Sequence, residues 1–157
     1  MSYIIRNGEK KDMKAVMELI TELALFEKLP NEVEVTVDDL LRDGFSNQPK
    51  FKTFVAEENG VIIGMALFYE RYSTWKGTAI HLEDLLVTKN KRGIGAGKAL
   101  YSSVLKYAHH KGCKRVAWDV LDWNKNAIDF YESTGATVLK DWQVVHMNEE
   151  SLKKFVR

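Results

Sequence analysis

Three glycines alternate with other residues where an apolar run meets a segment of helical periodicity. They are Gly93, Gly95 and Gly97, in the stretch "VTKNKRGIGAGKAL". Glycines at the start of a helix let main-chain N–H groups turn toward one point, where the helix dipole favours negative charge. The spacing therefore predicts a loop that cradles phosphate groups.

Two common phosphate-binding loops do not fit this spacing. A P-loop ends in Gly-Lys-Ser/Thr, but Gly97 is followed by Lys98 and Ala99, so the hydroxyl that would hold magnesium is missing. A dinucleotide fingerprint requires a third glycine where Lys98 stands, and also an early βαβ unit. What remains is an Arg-x-x-Gly-x-Gly pattern that begins at Arg92. A plain connecting turn is the alternative, but it would not require so many glycines, which cost conformational entropy.

Two adjacent carboxylates lie inside the apolar run that precedes the glycines. Glu83 and Asp84 are flanked by leucine and valine, and a charge in such a run costs free energy unless it is paired or used. Neighbours on a strand point to opposite faces, so we expect at most one of the two to face the reacting group. The alternatives are a solvated strand end, or carboxylates that pair with Lys91 or Arg92.

The N-terminal half supplies elements that can hold these residues. An apolar stripe at helical spacing predicts a first helix, and its members are Met13, Val16, Met17, Ile20, Leu23 and Ala24. Thr36 and Asp39 have capping-box spacing before a second helix that stops at Gly44. Two β-rich runs around Asn59-Gly60 predict a hairpin.

The remaining runs complete an alternating pattern of strands and helices. Further strands are predicted at residues 2–6, 79–87, 115–121 and 141–147. Helices are predicted from the glycines to Lys111-Gly112, from Asn124 to Gly135, and in the polar tail. The order β-α-α-β-β-β-α-β-α-β predicts one α/β or α+β domain over residues 1–157, with a mixed, mostly antiparallel central sheet flanked by helices.

Composition excludes several classes of protein. The 157 residues carry 23 basic and 22 acidic side chains, so no general basic field is available for nucleic acid. One cysteine, Cys113, excludes an internal disulfide framework, and we expect neither a secretory signal nor a membrane span. His109 and His110 have no metal-ligand spacing with other donors, so no metal is expected. These features favour a cytoplasmic protein.

The glycine loop together with "LLRDGF", "LEDLLV" and "WNKNAIDFYESTGA" resembles the GNAT superfamily of N-acetyltransferases. The resemblance covers nearly the whole chain and is to the diamine and polyamine branch, which includes spermidine/spermine and thialysine acetyltransferases. It implies the GNAT acyl-CoA N-acyltransferase fold, acetyl-CoA as cofactor and a homodimer. The implied coenzyme-binding residues are Leu85, Leu86, Val87, Arg92, Gly93, Ile94, Gly95, Ala96, Gly97, Lys98 and Asn124.

The resemblance also implies catalytic roles for two side chains. An alkylammonium titrates near pH ~10 in water, so its nucleophilic form is scarce at neutral pH and a carboxylate base would help. Glu83 is implied as this base, acting through water, and Tyr131 as the acid toward the coenzyme sulfur. His81 alternates with Glu83 and could line the cleft, although lone histidines are usually satisfied by neighbours.

The acceptor amine is implied to be small and cationic. Phe26, Glu27, Trp75 and Asp84 are the candidate substrate-binding residues, because carboxylates beside an aromatic face suit an ammonium chain. For Glu27, an exposed helix-end charge is the alternative. Polyamine-selective members carry tyrosine at the position of Phe26 and an acid at that of Ser73. A shorter amine, such as a lysine analogue with sulfur in its side chain, is therefore as plausible as a polyamine.

Two rival functions stay open on the sequence. A protein lysine or N-terminal acetyltransferase would need a groove for a peptide, and the acidic residues near Glu27 fit a small cation better. A non-catalytic acyl-CoA-binding sensor would have no use for a proton donor such as Tyr131. Release of thiol from acetyl-CoA in the presence of amines separates the enzyme from the sensor.

Overall fold

Residues 2–157 are described in the computed structural model of the protein. They divide into two units, one that ends at Asp119 and one from Val120 to Arg157. Each unit is described by itself, and the single domain over residues 1–157 stays a prediction.

The first unit is built on a five-stranded sheet with the order β1-β2-β3-β4-β5. Its strands are β1 (Tyr3–Asn7), β2 (Lys52–Glu58), β3 (Val61–Ser73), β4 (Gly77–Val87) and β5 (Val116–Ala117). The first four strands pair antiparallel, and β5 pairs parallel with β4. The prediction of a mixed, mostly antiparallel sheet is confirmed.

Three α-helices accompany this sheet: α1 (Met13–Phe26), α2 (Val37–Gly44) and α3 (Ala96–His110). The capping box of α2 is confirmed, because the Asp39 N–H donates to the Thr36 hydroxyl at 3.2 Å and the Thr36 N–H donates to the Asp39 carboxylate at 2.9 Å. The hairpin between β2 and β3 is confirmed too, and its turn residues Asn59 and Gly60 both have positive φ.

Apolar side chains cover both faces of the sheet and hold β4 between them. On one face, α1 and α2 contribute to a buried cluster whose members are Met13, Val16, Leu19, Leu40, Val55, Met65, Leu67 and Leu86. On the other, the Phe68 ring lies 5.2 Å from that of Phe54 and 5.1 Å from that of Tyr107 on α3. The strand that carries the two carboxylates is therefore fixed by packing on either side.

The second unit contains α4 (Lys125–Ser133) and α5 (Glu149–Phe155). The side chain of Asn124 caps α4 by accepting a hydrogen bond from the Ala127 N–H at 3.4 Å, and Asn148 caps α5 in the same way. The helix predicted between Asn124 and Gly135 and the helical tail are both confirmed. Among residues 2–157, no helix has the length and apolar character that crossing a membrane requires.

Two strand predictions are wrong. The run 115–121 forms a strand only at Val116–Ala117, because β5 pairs with β4 at just two positions. The run 141–147 forms no strand within the described chain. Its apolar pattern suits a strand, but a strand also needs a hydrogen-bonded neighbour, and the described residues supply none.

Candidate active site

The ladder between β3 and β4 changes register at Glu83. Leu67 is paired with Asp84, and the next residue, Phe68, is paired with Leu82. Glu83 therefore has no partner on β3 and is the extra residue of a β-bulge on β4. Such a bulge bends its strand and re-aims the side chains around it.

The bulge brings Glu83 and Asp84 to one face of the sheet. Leu67 and Tyr69 share a face of β3, so their partners Asp84 and His81 share that face as well. The Glu83 carboxylate is 3.3 Å from the Tyr69 hydroxyl and 3.3 Å from His81 Nε2. The prediction that the two carboxylates point to opposite faces is wrong, because strict alternation assumes a strand without a bulge.

The carboxylates of this face lie in a partly desolvated, negatively charged environment. Burial, together with the negative charges of Glu83 and Glu27, raises the pKa of Asp84 to about 6. Burial also raises the pKa of Glu27, which follows the last residue of α1. The Glu83 side chain is 51% exposed. A cation among these three groups would favour their ionised forms.

The basic residues of the loop do not neutralise these carboxylates. Lys91 forms an ion pair with Glu58, and Arg92 lies 4.0 Å from Glu22. The alternative in which Glu83 and Asp84 pair with Lys91 or Arg92 is therefore wrong. Neither of these two cations therefore neutralises Glu83 or Asp84.

A fork opens between β4 and β5 beside the bulge. The two strands pair only at Ile80 with Val116 and at His81 with Ala117. Beyond His81, the β5 side of β4 has no strand partner within the first unit, and this part includes Leu85, Leu86 and Val87. The fork leaves an edge of main-chain groups that an extended ligand can pair with.

The glycine loop presents main-chain N–H groups at the start of α3. Gly93 and Gly95 have φ of 83° and 90°, a region that other residues enter only with strain. No side chain caps α3, so the N–H groups of its first turn, Ala96 to Lys98, suit a phosphate. A Cβ on Gly97 would meet only Val87, at 3.7 Å, so packing does not require a glycine there. The bare backbone fits a bound group that approaches the helix closely.

Arg92 fastens the loop to the rest of the unit. Its Nε donates to the Val87 carbonyl at 3.0 Å, and its guanidinium lies 5.4 Å from the centre of the Phe26 ring. Glu22 supports the same region by accepting a hydrogen bond from the Thr88 hydroxyl at 2.8 Å. The Phe26 ring, expected at the substrate, thus lies against the arginine of the loop.

Trp75 lies apart from the carboxylates. It is 75% exposed in the turn between β3 and β4. Its neighbour strand β4 starts at Gly77, six residues before Glu83, which corresponds to about 20 Å of extended chain. The first unit brings together Glu27, Glu83 and Asp84, and it does not bring Trp75 to them.

Asn124 and Tyr131 belong to the second unit. Asn124 is the residue before α4, and its side-chain oxygen already serves the Ala127 N–H. Tyr131 lies in the last turns of α4, half-buried, with its ring 5.5 Å from that of Phe130. The roles of Asn124 at the coenzyme and of Tyr131 as an acid stay predictions.

Two residues near the carboxylates were missed in the sequence, one beside Glu83 and one beside His81. Tyr69 donates to its carboxylate, and Arg71 lies 3.2 Å from His81, through Nη1 and Nδ1. A signal for Tyr69 was available, because counting back from the turn at Ser73 and Gly77 pairs Tyr69 with His81. Within residues 2–157, no group of three or more His, Cys, Asp or Glu side chains is placed to hold a metal ion.

Comparison with known proteins decides the class of this site. Residues 14–136 match the Acetyltransferase (GNAT) family. The chain belongs to this family. The thialysine N-epsilon-acetyltransferase of Bos taurus is 35% identical to this GNAT acetyltransferase over 162 residues, which cover 96% of this chain and 95% of the bovine protein.

Two further comparisons extend this result. Spermidine/spermine N(1)-acetyltransferase-like protein 1 of Homo sapiens is 34% identical over 158 residues, which cover 94% of this chain and 23% of the human protein. An integron cassette protein from the mobile metagenome of V. cholerae has the same fold, with a TM-score of 0.81 at 23% identity, and the match covers 100% of this chain and 99% of that one. The protein is an acetyl-CoA-dependent N-acetyltransferase of GNAT fold.

Proposed function

We propose that this GNAT acetyltransferase moves the acetyl group of acetyl-CoA to a primary amine of a small cationic substrate. The proposed acceptor is a thialysine-like amino acid, a diamine or a polyamine. The observation that carries the proposal is the clustering of Glu27, Glu83 and Asp84, in which burial and the charges of the other two carboxylates raise the pKa of Asp84 to about 6. Such a cluster is stabilised by a bound ammonium group. The names of the bovine and human relatives support the same class.

The fork and the glycine loop form the proposed site for the coenzyme, which supplies an acetyl group activated as a thioester. The N–H groups of Gly93 to Lys98 and the cationic side chains of Arg92 and Lys98 hold its phosphates. The main chain of Leu85, Leu86 and Val87 pairs with the extended arm at the open edge of β4. Asn124, which belongs to the second unit, is also proposed to bind the coenzyme.

The three carboxylates have different roles toward the amine. Asp84 and Glu27 bind the ammonium form, and Phe26 flanks Glu27 beside the alkyl chain. Glu83 accepts the proton that leaves the nitrogen, through a water molecule. Its half-exposed side chain can pass that proton to solvent. Tyr131 returns a proton to the coenzyme sulfur, and Trp75 contacts only the far end of a long substrate.

A homodimer and a cytoplasmic location complete the proposal. The second unit exposes a set of large apolar side chains that a second copy can cover: Leu139, Trp142, Val144, Val145, Met147, Leu152, Phe155 and Val156. Light scattering on the purified chain checks the dimer, and a monomer at micromolar concentration would contradict it. The free Cys113 is consistent with a reducing compartment.

The test is release of thiol from acetyl-CoA against a panel of amines. The panel contains thialysine, lysine, putrescine, spermidine, spermine and a lysine peptide. We expect turnover with at least one small amine and little with the peptide, with the acetylated product confirmed by mass spectrometry. The matched control is each amine with its nitrogens already acetylated. Tight binding of acetyl-CoA without turnover of any small amine would overturn the proposal.

A further inference from the structure

Four side chains form a continuous polar chain across β3 and β4. Arg71 Nη1 lies 3.2 Å from His81 Nδ1, and His81 Nε2 lies 3.3 Å from Glu83 Oε2. Tyr69 reaches the same Glu83 oxygen with its hydroxyl, also at 3.3 Å. The proposed base is thus contacted by two side chains, one of which is held by a third.

The donors in this chain fix the tautomer of His81. A guanidinium can only donate hydrogen bonds, so the ring nitrogen that faces Arg71 must accept. Nδ1 is then without a proton, and the neutral ring carries its proton on Nε2. That N–H points at Glu83, as does the Tyr69 hydroxyl. Both contacts hold the Glu83 side chain in one orientation.

His81 is well placed to hold such an orientation. It is 8% exposed, and its main chain is paired with Tyr69 on β3 and with Ala117 on β5. It is also the last residue of β4 that pairs with β5 before the fork. His81 therefore lies on the central one of three paired strands, whereas Glu83 lies on the bulge and is half exposed.

We propose that His81 is the positioning residue for Glu83 and that Arg71 sets its tautomer, an inference that rests on the proposed role of Glu83 as base. Without the imidazole, the exposed carboxylate would sample several rotamers and spend less time facing the amine. Without Arg71, Nδ1 could take a proton, and the ring would no longer be restricted to one donor. The Arg71–His81 pair thus holds the exposed carboxylate of Glu83 in one orientation.

Other charged groups contribute to the electrostatic environment of these four side chains. On β4, Asp84 shares the face with Glu83, and Glu27 at the end of α1 acts on Asp84. Asp119, after β5, acts on Tyr69, whose pKa is raised by burial and by Glu83. Tyr69 therefore keeps its proton and remains a donor. Among these groups Arg71 contributes the positive charge that bears on Tyr69.

The first test compares two substitutions of His81. His81→Gln keeps an N–H donor within reach of Glu83, and His81→Leu removes it. We expect His81→Leu to lower kcat about tenfold, the loss typical of a hydrogen bond to a charged group, with little change in KM for acetyl-CoA. His81→Gln should recover most of the rate. Thermal unfolding of both variants verifies that they are folded.

The second test observes the tautomer without using activity. The full chain is labelled with ¹⁵N-histidine, and the His81 ring signal is assigned by its absence in His81→Gln. We expect the neutral ring of the natural chain to be the Nε2–H tautomer, and that of Arg71→Leu to be a mixture of the Nε2–H and Nδ1–H tautomers. Arg42→Leu is the control, because Arg42 pairs with Asp39 and Asp43 on α2 and should leave the signal unchanged.

The outcomes separate this inference from the function it rests on. A normal rate and pH profile in His81→Leu, with activity lost in Glu83→Gln, would overturn the role of His81 alone. An Nδ1–H tautomer in the natural chain would overturn the role of Arg71. A normal rate in Glu83→Gln would instead overturn the assignment of the base in the proposed function.

Discussion

Two binding regions flank the end of β4, and they are built in different ways. The glycine loop from Arg92 to Lys98 offers main-chain N–H groups and positive charge, and its shape follows from residues at positive φ. The acidic region of Glu27, Glu83 and Asp84 offers side-chain oxygens, and its shape follows from a bulge in the β3–β4 ladder. The loop suits an anion and the acidic region suits a cation.

This difference predicts separate kinetic signatures for the two regions. A change in the loop should alter the KM for acetyl-CoA, because in the proposed function the loop binds a part of the donor that does not react. A change at Glu27 or Asp84 should alter the KM for the amine. A change at Glu83 should alter kcat, because its contact with the amine proton develops during the reaction.

The largest effect is expected at the bulge. Glu83→Gln removes the proton acceptor without changing the size of the side chain, so kcat should fall about 100-fold or more. The KM for acetyl-CoA should stay within experimental error. Glu70→Gln on β3 is the matched control, since Glu70 pairs with Lys111. An equal loss in both variants would remove the distinction between the base and an ordinary surface carboxylate.

Asp84→Asn should act on the amine rather than on the donor. Loss of one charged partner of the ammonium is expected to raise the KM for the amine about tenfold. In the natural chain this KM should improve as the pH rises through about 6, where Asp84 ionises, and the variant should lack that dependence. A pH series of initial rates at saturating acetyl-CoA measures both effects. A KM change confined to acetyl-CoA would contradict the assignment.

Asp84→Asn should weaken binding of the amine but make the folded protein more stable. The folded-state pKa of Asp84 is raised, to about 6 from 3.8, so the folded protein loses stability as pH rises through that range and regains it as pH falls. Asp84→Asn should therefore stabilise the fold by up to about 3 kcal/mol above pH 6, and by little below pH 4. Denaturant unfolding at both ends of the range checks the sign, with the exposed Asp38→Asn as control.

Tyr131→Phe tests whether a residue of the second unit takes part in the chemistry. Turnover should fall at least severalfold, because the departing sulfur loses its proton donor, and binding of acetyl-CoA should be nearly intact. Calorimetry with the coenzyme and steady-state rates measure the two parts. Tyr72→Phe, an exposed position on β3, is the control. An unchanged rate would take Tyr131 out of the mechanism.

The smallest effect is expected in the loop. Gly97→Ala introduces a methyl group that the chain itself accommodates, with Val87 at 3.7 Å. Stability should be unchanged or rise by up to about 1 kcal/mol, because alanine restricts the unfolded chain. The KM for acetyl-CoA should nevertheless rise severalfold, and Ser102→Ala in the same helix should leave it unchanged. A loss of stability without a change in KM would show that the glycine serves packing.

The features that could be predicted from the sequence are those determined by near neighbours. The stripe of α1, the Thr36–Asp39 capping box and the Asn59–Gly60 turn each depend on residues a few positions apart. The glycine loop belongs to the same group, because Gly93 and Gly95 reveal their backbone conformation by residue type. The two helices and the turn are confirmed, and the phosphate-binding role of the glycine loop stays a prediction.

The features that could not be predicted depend on strand partners. The face shared by Glu83 and Asp84 follows from where β3 skips a residue of β4, and no local pattern marks that position. Because β4 and β5 separate at the fork, β5 extends only over Val116–Ala117. The contact of Arg71 with His81 joins residues on two strands. In each case the register of a neighbouring strand, rather than the residue's own surroundings in the sequence, decides the outcome.

The end of α1 links the two regions. Phe26 lies against Arg92 of the loop, and the following residue, Glu27, acts on Asp84 in the acidic region. One helical turn therefore borders both regions. Because thermodynamic linkage is reciprocal, any factor by which the bound donor changes affinity for the amine is returned equally by the amine to the donor. In the proposed function, this turn is the part of the first unit through which binding of one substrate would alter the affinity for the other.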